Sequence, residues 1–388
     1  MIFYTSICSN YLPKAMTLAE SVKQNCKDAI FVLCLVEREI PEVAANFPYF
    51  DKIILAKDAG WENFDSFMFR HSIVEASTAV KPQFMLHLME IYPDQNKFVY
   101  LDPDVKAYSE FVELEEKLDT HSIIVCPHLL RPGNIDMEIS SLAHGTYNLG
   151  FLAVARSKNA HDFVSWWAAR LFHFCYDDKA RGIFTDQKWI DLAPCFFDVH
   201  VLKHHGYDFA TWSLLDSDLR KTEDGHIVNG DPLRFIHFSG LDSGTIDKAI
   251  GWWLRDDNKD DFVALYQEYL KLLDHHGQQE IGKTPWSYAT YDDGSKISND
   301  ARKAYRDPEM WWKYPAPFAQ SESAILGSPS EVAPNIVDDA NLSYEQSVAG
   351  NTQPAFEPTL WQKFEHSRST EGLGGAMRRA ARRVFKGS

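Results

Sequence analysis

The chain has 388 residues, 45% of them hydrophobic and 13% aromatic, and a formal charge of −16. This composition predicts a packed core, organised as one large domain with appendages or as two domains. It excludes nonspecific nucleic-acid binding, which needs a basic surface.

The opening MIFYTSICSNYLPK has no basic stretch and no long apolar run, so neither a leader nor a membrane span is expected. Cys8, Cys26, Cys34, Cys126, Cys175 and Cys195 are scattered, without C-x-x-C or zinc-type spacing. Reduced, mostly buried thiols in a cytoplasmic setting are the expectation.

In chain order, IFYTSI at 2–7 predicts a strand and 11–26 a helix capped by Asn10, with Leu12, Ala15, Ala19, Val22 and Cys26 on one face. Strands at 30–36 and 52–56 follow, an alternation typical of a parallel β/α layout. A long helical region over 61–92 leads into FVYLD, and further strands are expected at 121–126, 150–155 and 234–238, the last as an inner strand. Helical signals fall at 158–175 and 185–193. The α/β core thus occupies residues 1–245.

Residues 246–318 predict a helical, aromatic-rich appendage. The Ser-, Pro- and Asn-rich stretch 319–360 predicts a flexible linker. At helical spacing the tail 361–388 places Leu373, Met377, Val384 and Phe385 on one arc and Arg378, Arg379, Arg382, Arg383 and Lys386 on the other. An amphipathic basic helix of this kind fits an anionic membrane surface, or the protein's own acidic surface.

The chemistry-bearing stretch is KFVYLDPDVKAY at 97–108. Asp102 and Asp104 close a buried strand, where two unpaired carboxylates repel and lose hydration unless a cation or proton lies between them. A solvent-exposed turn is one reading. A haloacid-dehalogenase-type phosphatase is another, but it places this pattern on the first strand of its domain and needs a later acidic pair. A third is a nucleotide-sugar transferase, whose divalent ion neutralises the departing diphosphate.

The segments SNYLPKAMTLAESV, STAVKPQFMLHLME, YLDPD, YNLGFLAVA, TDQKWIDLAP and HFSG occur in this order. Together they resemble the retaining GT-A glycosyltransferases related to glycosyltransferase family 8, the family of glycogenin and bacterial lipopolysaccharide galactosyltransferases. The resemblance implies an α/β fold: a GT-A, Rossmann-like nucleotide-sugar-binding domain with a C-terminal helical appendage and the basic tail. It implies that Thr5, Asn10 and Tyr11 bind the base, Lys81 the donor phosphates, and Asn148 the donor sugar, with Gly240 in the H-x-x-G signature. It also implies that Asp102, Asp104 and His237 hold Mn²⁺ or Mg²⁺, and that Asp186 and Gln187 lie at the anomeric centre.

The chain departs from the family pattern at Ser9, where an acid is usual, and after His237, where HFSGLDSGT replaces the run to Lys-Pro-Trp. Lys248 or Lys81 is the expected substitute for that lysine. Asp191 stands near the place of the family's final Asn. The implied reaction moves a hexose from a nucleotide sugar, expected to be a UDP-hexose, to a glycan or lipid-linked saccharide, with retention. A peripheral position at the inner face of the plasma membrane is expected from the tail. A silent nucleotide- or glycan-binding module shares the same residues, and turnover distinguishes the two.

Overall fold

The strand Ile2–Ile7 (β1), IFYTSI, is buried along its whole length, its polar Thr5 and Ser6 included. It is an inner strand of a seven-stranded sheet with Ile30–Leu35 (β2), Lys52–Leu55 (β3), Lys97–Leu101 (β4), Ile123–Pro127 (β6), Tyr147–Ala155 (β7) and His200–Val201 (β10). The strand order is β10-β6-β7-β4-β1-β2-β3. The computed structural model describes residues 1–254 and 259–327, apart from the side chain of Trp253.

The architecture is mixed α/β. Strands β4, β1, β2 and β3 run parallel, whereas β7 lies antiparallel to both β4 and β6. Parallel strands place their carboxyl ends along one sheet edge, and the reversal of β7 brings its amino-terminal end to that same edge. Helices cover both faces, giving two apolar layers: one around Phe67, Phe84 and Trp167, the other around Leu18, Phe31 and Phe151.

A second sheet sits beyond the edge of the first. Its three strands are Val105–Ala107 (β5), Phe209–Ala210 (β11) and Phe235–His237 (β15), in the order β11-β15-β5. The expected inner strand at 234–238 therefore forms, but in this small sheet rather than the central one. Short hairpin strands complete the set: Asp177–Asp178 (β8) with Ile183–Phe184 (β9), and Leu219–Thr222 (β12), Gly225–Val228 (β13) and Asp231–Pro232 (β14).

The long helical region expected over 61–92 is three helices, Phe64–Phe69, Ile73–Ala79 and Lys81–Ile91. A capping box of Ser72 and Glu75 starts the second, and Pro82 sits in the first turn of the third. Asn10 does not cap the first helix. Its N-cap is Tyr11, with no side-chain cap bond, and Asn10 lies in the preceding 3₁₀ turn. The helical signal at 185–193 resolves into a 3₁₀ turn, Lys188–Leu192.

Of the aromatic residues after 280, Trp286, Tyr288, Tyr291 and Tyr305 pack into the main core. The Trp286 indole donates to Val36 O at 2.9 Å, and Glu37 accepts from the backbone of both Ser9 and Ser287. This segment thus braces the loop after β1. Residues 317–319 and 322–326, expected within or beside the linker, form a 3₁₀ turn and a helix with Ile325 buried. The linker from residue 328 onward and the basic tail lie outside the described residues. Cys8, Cys26, Cys34, Cys126 and Cys175 are buried free thiols and Cys195 is an exposed one. Among the described residues no helix is long and apolar enough to cross a membrane.

Candidate metal and donor site

Strand β4 ends at Leu101, and the Asp102–Asp104 turn closes with Val105 N donating to Asp102 O. The chain then enters β5, where Val105 lies opposite His237 of β15. That register carries the histidine to the aspartates, and Phe238 N donates to Asp104 O at 2.9 Å. One candidate ligand atom from each of Asp102, Asp104 and His237 lies within 4.8 Å of the others.

Nε2 of His237 stands 3.1 Å from Asp104 Oδ1 and 3.8 Å from Asp102 Oδ2. Its other nitrogen, Nδ1, faces Asp208 Oδ1 at 3.3 Å. Asp208 precedes β11, whose Ala210 pairs with His237. Burial disfavours the imidazolium, but Asp104 and then Asp208 outweigh it and hold His237 well above the usual histidine value. Burial pushes Asp208 up to about 6, although His237 opposes the shift. Asp104 is pushed up by burial, but His237 beside it brings the net shift below the usual carboxylate range.

Two carboxylates and an imidazole form a hard oxygen and nitrogen donor set that suits Mn²⁺ or Mg²⁺. A carboxylate behind the ligating histidine is the usual orienting partner in such sites. The residues present therefore fit the ion that the resemblance implies.

Antiparallel pairing of β7 with β4 sets Leu101 opposite Phe151, and Asp102 N donates to Gly150 O at 2.8 Å. Asn148 lies two residues before Gly150 on the same strand; its Oδ1 accepts from Gly150 N, and its Nδ2 lies 3.1 Å from His128 Nε2. Gly150 is needed for close approach. A Cβ there would sit 2.4 Å from Cε1 of His237.

Lys81 lies behind the aspartates, 2% exposed, with Asp102 Oδ1 at 3.1 Å, Asp186 Oδ2 at 2.9 Å and Leu149 O at 3.1 Å. Burial opposes its charge, yet Asp102 and Asp186 hold the ammonium protonated. Burial pushes Asp186 upward, Lys81 partly offsets this, and Asp102 competes for the same ammonium. Trp167 Nε1 donates to Asp186 O. Gln187 is braced at both ends, accepting from Leu149 N and donating to His144 O.

Thr5 is buried in β1, and neither its Oγ1 nor Asn10 Oδ1 has a hydrogen-bond partner among the described residues. Tyr11 donates its hydroxyl to Asp242, and burial followed by that bond raises its pKa. Gly240 has φ +86, and a Cβ there would lie 2.8 Å from Thr245 Cβ. Asp191 accepts from Thr146 N and pairs with Lys188 instead of facing the aspartates. Among the tryptophans of residues 246–318, Trp311 packs against His173, while Trp252 and Trp312 are exposed.

Sequence reasoning missed Asp208 and Lys14. Lys14 is 1% exposed and ion-paired to Asp242 at 2.6 Å.

No family model matches the sequence. A protein of Bacillus subtilis (strain 168), the uncharacterized protein YfnD, is 24% identical over 278 residues, covering 70% of this chain and 88% of that one. The solved structure of galactosyltransferase LgtC with donor and acceptor sugar analogs is similar over 71% of this chain and 96% of its own, at 16% identity and a TM-score of 0.43. The bifunctional glycosyltransferase WbbM covers 74% of this chain and 50% of its own, at 13% identity and a TM-score of 0.40.

Proposed function

We propose that the chain is a divalent-metal-dependent glycosyltransferase that moves a sugar from a nucleoside-diphosphate sugar to an acceptor hydroxyl. The observation that carries this reading is convergence. Residues from distant segments, Lys81, Asp102, Asp104, Asn148, Asp186 and His237, meet at one end of the sheet. A surface turn does not need a buried lysine, a second carboxylate and a histidine behind it.

Asp102, Asp104 and His237 would hold Mn²⁺ or Mg²⁺, which supplies charge neutralisation for the departing nucleotide. Asp208 fixes the ring of His237. Lys81 holds Asp102 and Asp186 apart and in place. Asp186, buried and paired, acts through its charge beside the anomeric carbon rather than as a strong base. Gln187 positions the backbone of Leu149, and Asn148 is set to meet a sugar hydroxyl.

The motif resemblance favours a UDP-hexose donor, transfer with retention, and a glycan or lipid-linked saccharide acceptor. In retention the acceptor attacks from the face the nucleotide leaves, and its proton passes to the departing phosphate oxygen. The basic tail favours work at an anionic membrane surface on the cytoplasmic side.

The test is hydrolysis of a panel of nucleotide sugars without acceptor, with Mn²⁺ and then with chelator. Chelator-sensitive release of one nucleoside diphosphate supports the reading. Release of inorganic phosphate would indicate a phosphatase instead, and binding without turnover by any acceptor or water would indicate a silent module.

A further inference from the structure

Among the described residues, Lys81, His237 and Lys14 are cationic side chains at or beside the site, and the first two are held by buried or half-buried carboxylates. Lys81 donates to Asp102 Oδ1 and Leu149 O, and its charge is also paired with Asp186, 2.9 Å away. His237 faces Asp104 with one nitrogen and Asp208 with the other. A diphosphate brought to this place therefore finds the charge of each already balanced by two buried or half-buried carboxylates.

Lys14 differs. It lies in the first turn of the helix Leu12–Asn25, and its Nζ stands 3.8 Å from the centre of the Tyr11 ring. Its carboxylate partner is Asp242, whose Oδ2 also accepts from the Tyr11 hydroxyl. Asp242 lies on the segment that follows His237, so the ion pair ties Lys14 to the segment that carries the third candidate ligand.

A buried ammonium needs an anion, yet Asp242 is an insecure one. It is 51% exposed, and it follows His237 on a loop between Gly240 and Gly244, which have φ of +86 and +65. A phosphate oxygen offers the same acceptor chemistry with more charge.

We propose that Lys14 is the side chain that takes the donor diphosphate, and that Asp242 occupies that place until the donor arrives. The inference rests on the nucleotide-sugar reading. Donor binding exchanges one anion for another on Lys14 and releases Asp242, with the loop that carries it, to solvent.

The experiment is calorimetric titration of the full chain in Mn²⁺ with UDP, GDP and ADP. The variants are Lys14→Met, Lys14→Arg and Asp242→Asn. Lys14→Met is expected to weaken the bound nucleotide by about ten-fold or more, the scale of a lost charge-assisted bond, with Mn²⁺ affinity in the absence of nucleotide unchanged. Lys14→Arg should retain part of the affinity, and Asp242→Asn should raise it. The opposite signs at positions 14 and 242 separate ligand exchange from a structural ion pair, whose loss at either end would weaken binding alike.

Equal nucleotide affinity in wild type and Lys14→Met, or weaker binding in Asp242→Asn, overturns the inference while leaving the glycosyltransferase reading intact. Should Lys14→Met not fold, the signs for Lys14→Arg and Asp242→Asn decide. Absence of binding by the wild type to all three nucleotides overturns both.

Discussion

Asp208 stands 3.3 Å from Nδ1 of His237, on the side of the ring away from Asp104, which faces Nε2 at 3.1 Å. The parallel pairing of β11 with β15 and the antiparallel pairing of β15 with β5 set this alignment. A carboxylate so placed fixes both the ring orientation and the nitrogen that carries the proton. Asp208→Ala is expected to weaken Mn²⁺ binding by about 10- to 100-fold, measured by paramagnetic resonance of free Mn²⁺, with circular dichroism checking the fold.

Gly150 tests the same ring from another direction. Its missing Cβ leaves the space that His237 fills. Gly150→Ala must displace either the ring or the strand, at about 1–3 kcal/mol by the usual cost of overpacking. Loss of Mn²⁺ affinity together with a lower melting temperature is expected; unchanged Mn²⁺ affinity would show that the ring does not need its observed position.

Lys81 separates stability from catalysis. Lys81→Met leaves Asp102 and Asp186 beside each other without their cation, and breaking a buried pair in this way costs about 3–5 kcal/mol. Denaturant unfolding reads that loss. Asp186→Asn keeps the shape and removes one negative charge, so it should reduce donor turnover well beyond its effect on stability.

The pH dependence follows from His237. Its folded-state pKa is raised by Asp104 and Asp208 against the opposing effect of burial. Its charged form therefore stabilises the metal-free protein fully below the unfolded value of about 6.5, and this contribution is lost as pH rises through the folded value. Asp104, held low by His237, contributes above the unfolded carboxylate value and loses that contribution in acid. A metal ion competes with the proton for Nε2. The stabilisation by Mn²⁺ in thermal melts is thus expected to grow as pH rises toward the folded-state value of His237, and a shift independent of pH would argue against His237 as a ligand.

The strand and turn at 97–104 were legible because their signals are local: an apolar run, then Asp-Pro-Asp. Asn148 and His237 were legible through short motifs, although neither motif indicates that β7 reverses or that β15 leaves the central sheet. Asp208 carries no such signal. It sits in the plain sequence GYDFA and reaches His237 only through strand pairing formed 29 residues apart. Lys14 was hidden for a different reason: helical periodicity marks apolar faces, and a lysine buried against Tyr11 and Asp242 falls outside that pattern. The breaks in the 61–92 helical region did have signals, Ser72 with Glu75 and Pro82, but they were masked by a nearly continuous run of helix-compatible residues.

The central claim is that Asp102, Asp104 and His237 hold a divalent cation. Its most direct test is Mn²⁺ titration of the full chain beside Asp104→Ala, without nucleotide, read by paramagnetic resonance. The account predicts one saturable site in the wild type, lost in Asp104→Ala with the fold intact by circular dichroism. Equal Mn²⁺ binding by the two proteins would contradict it.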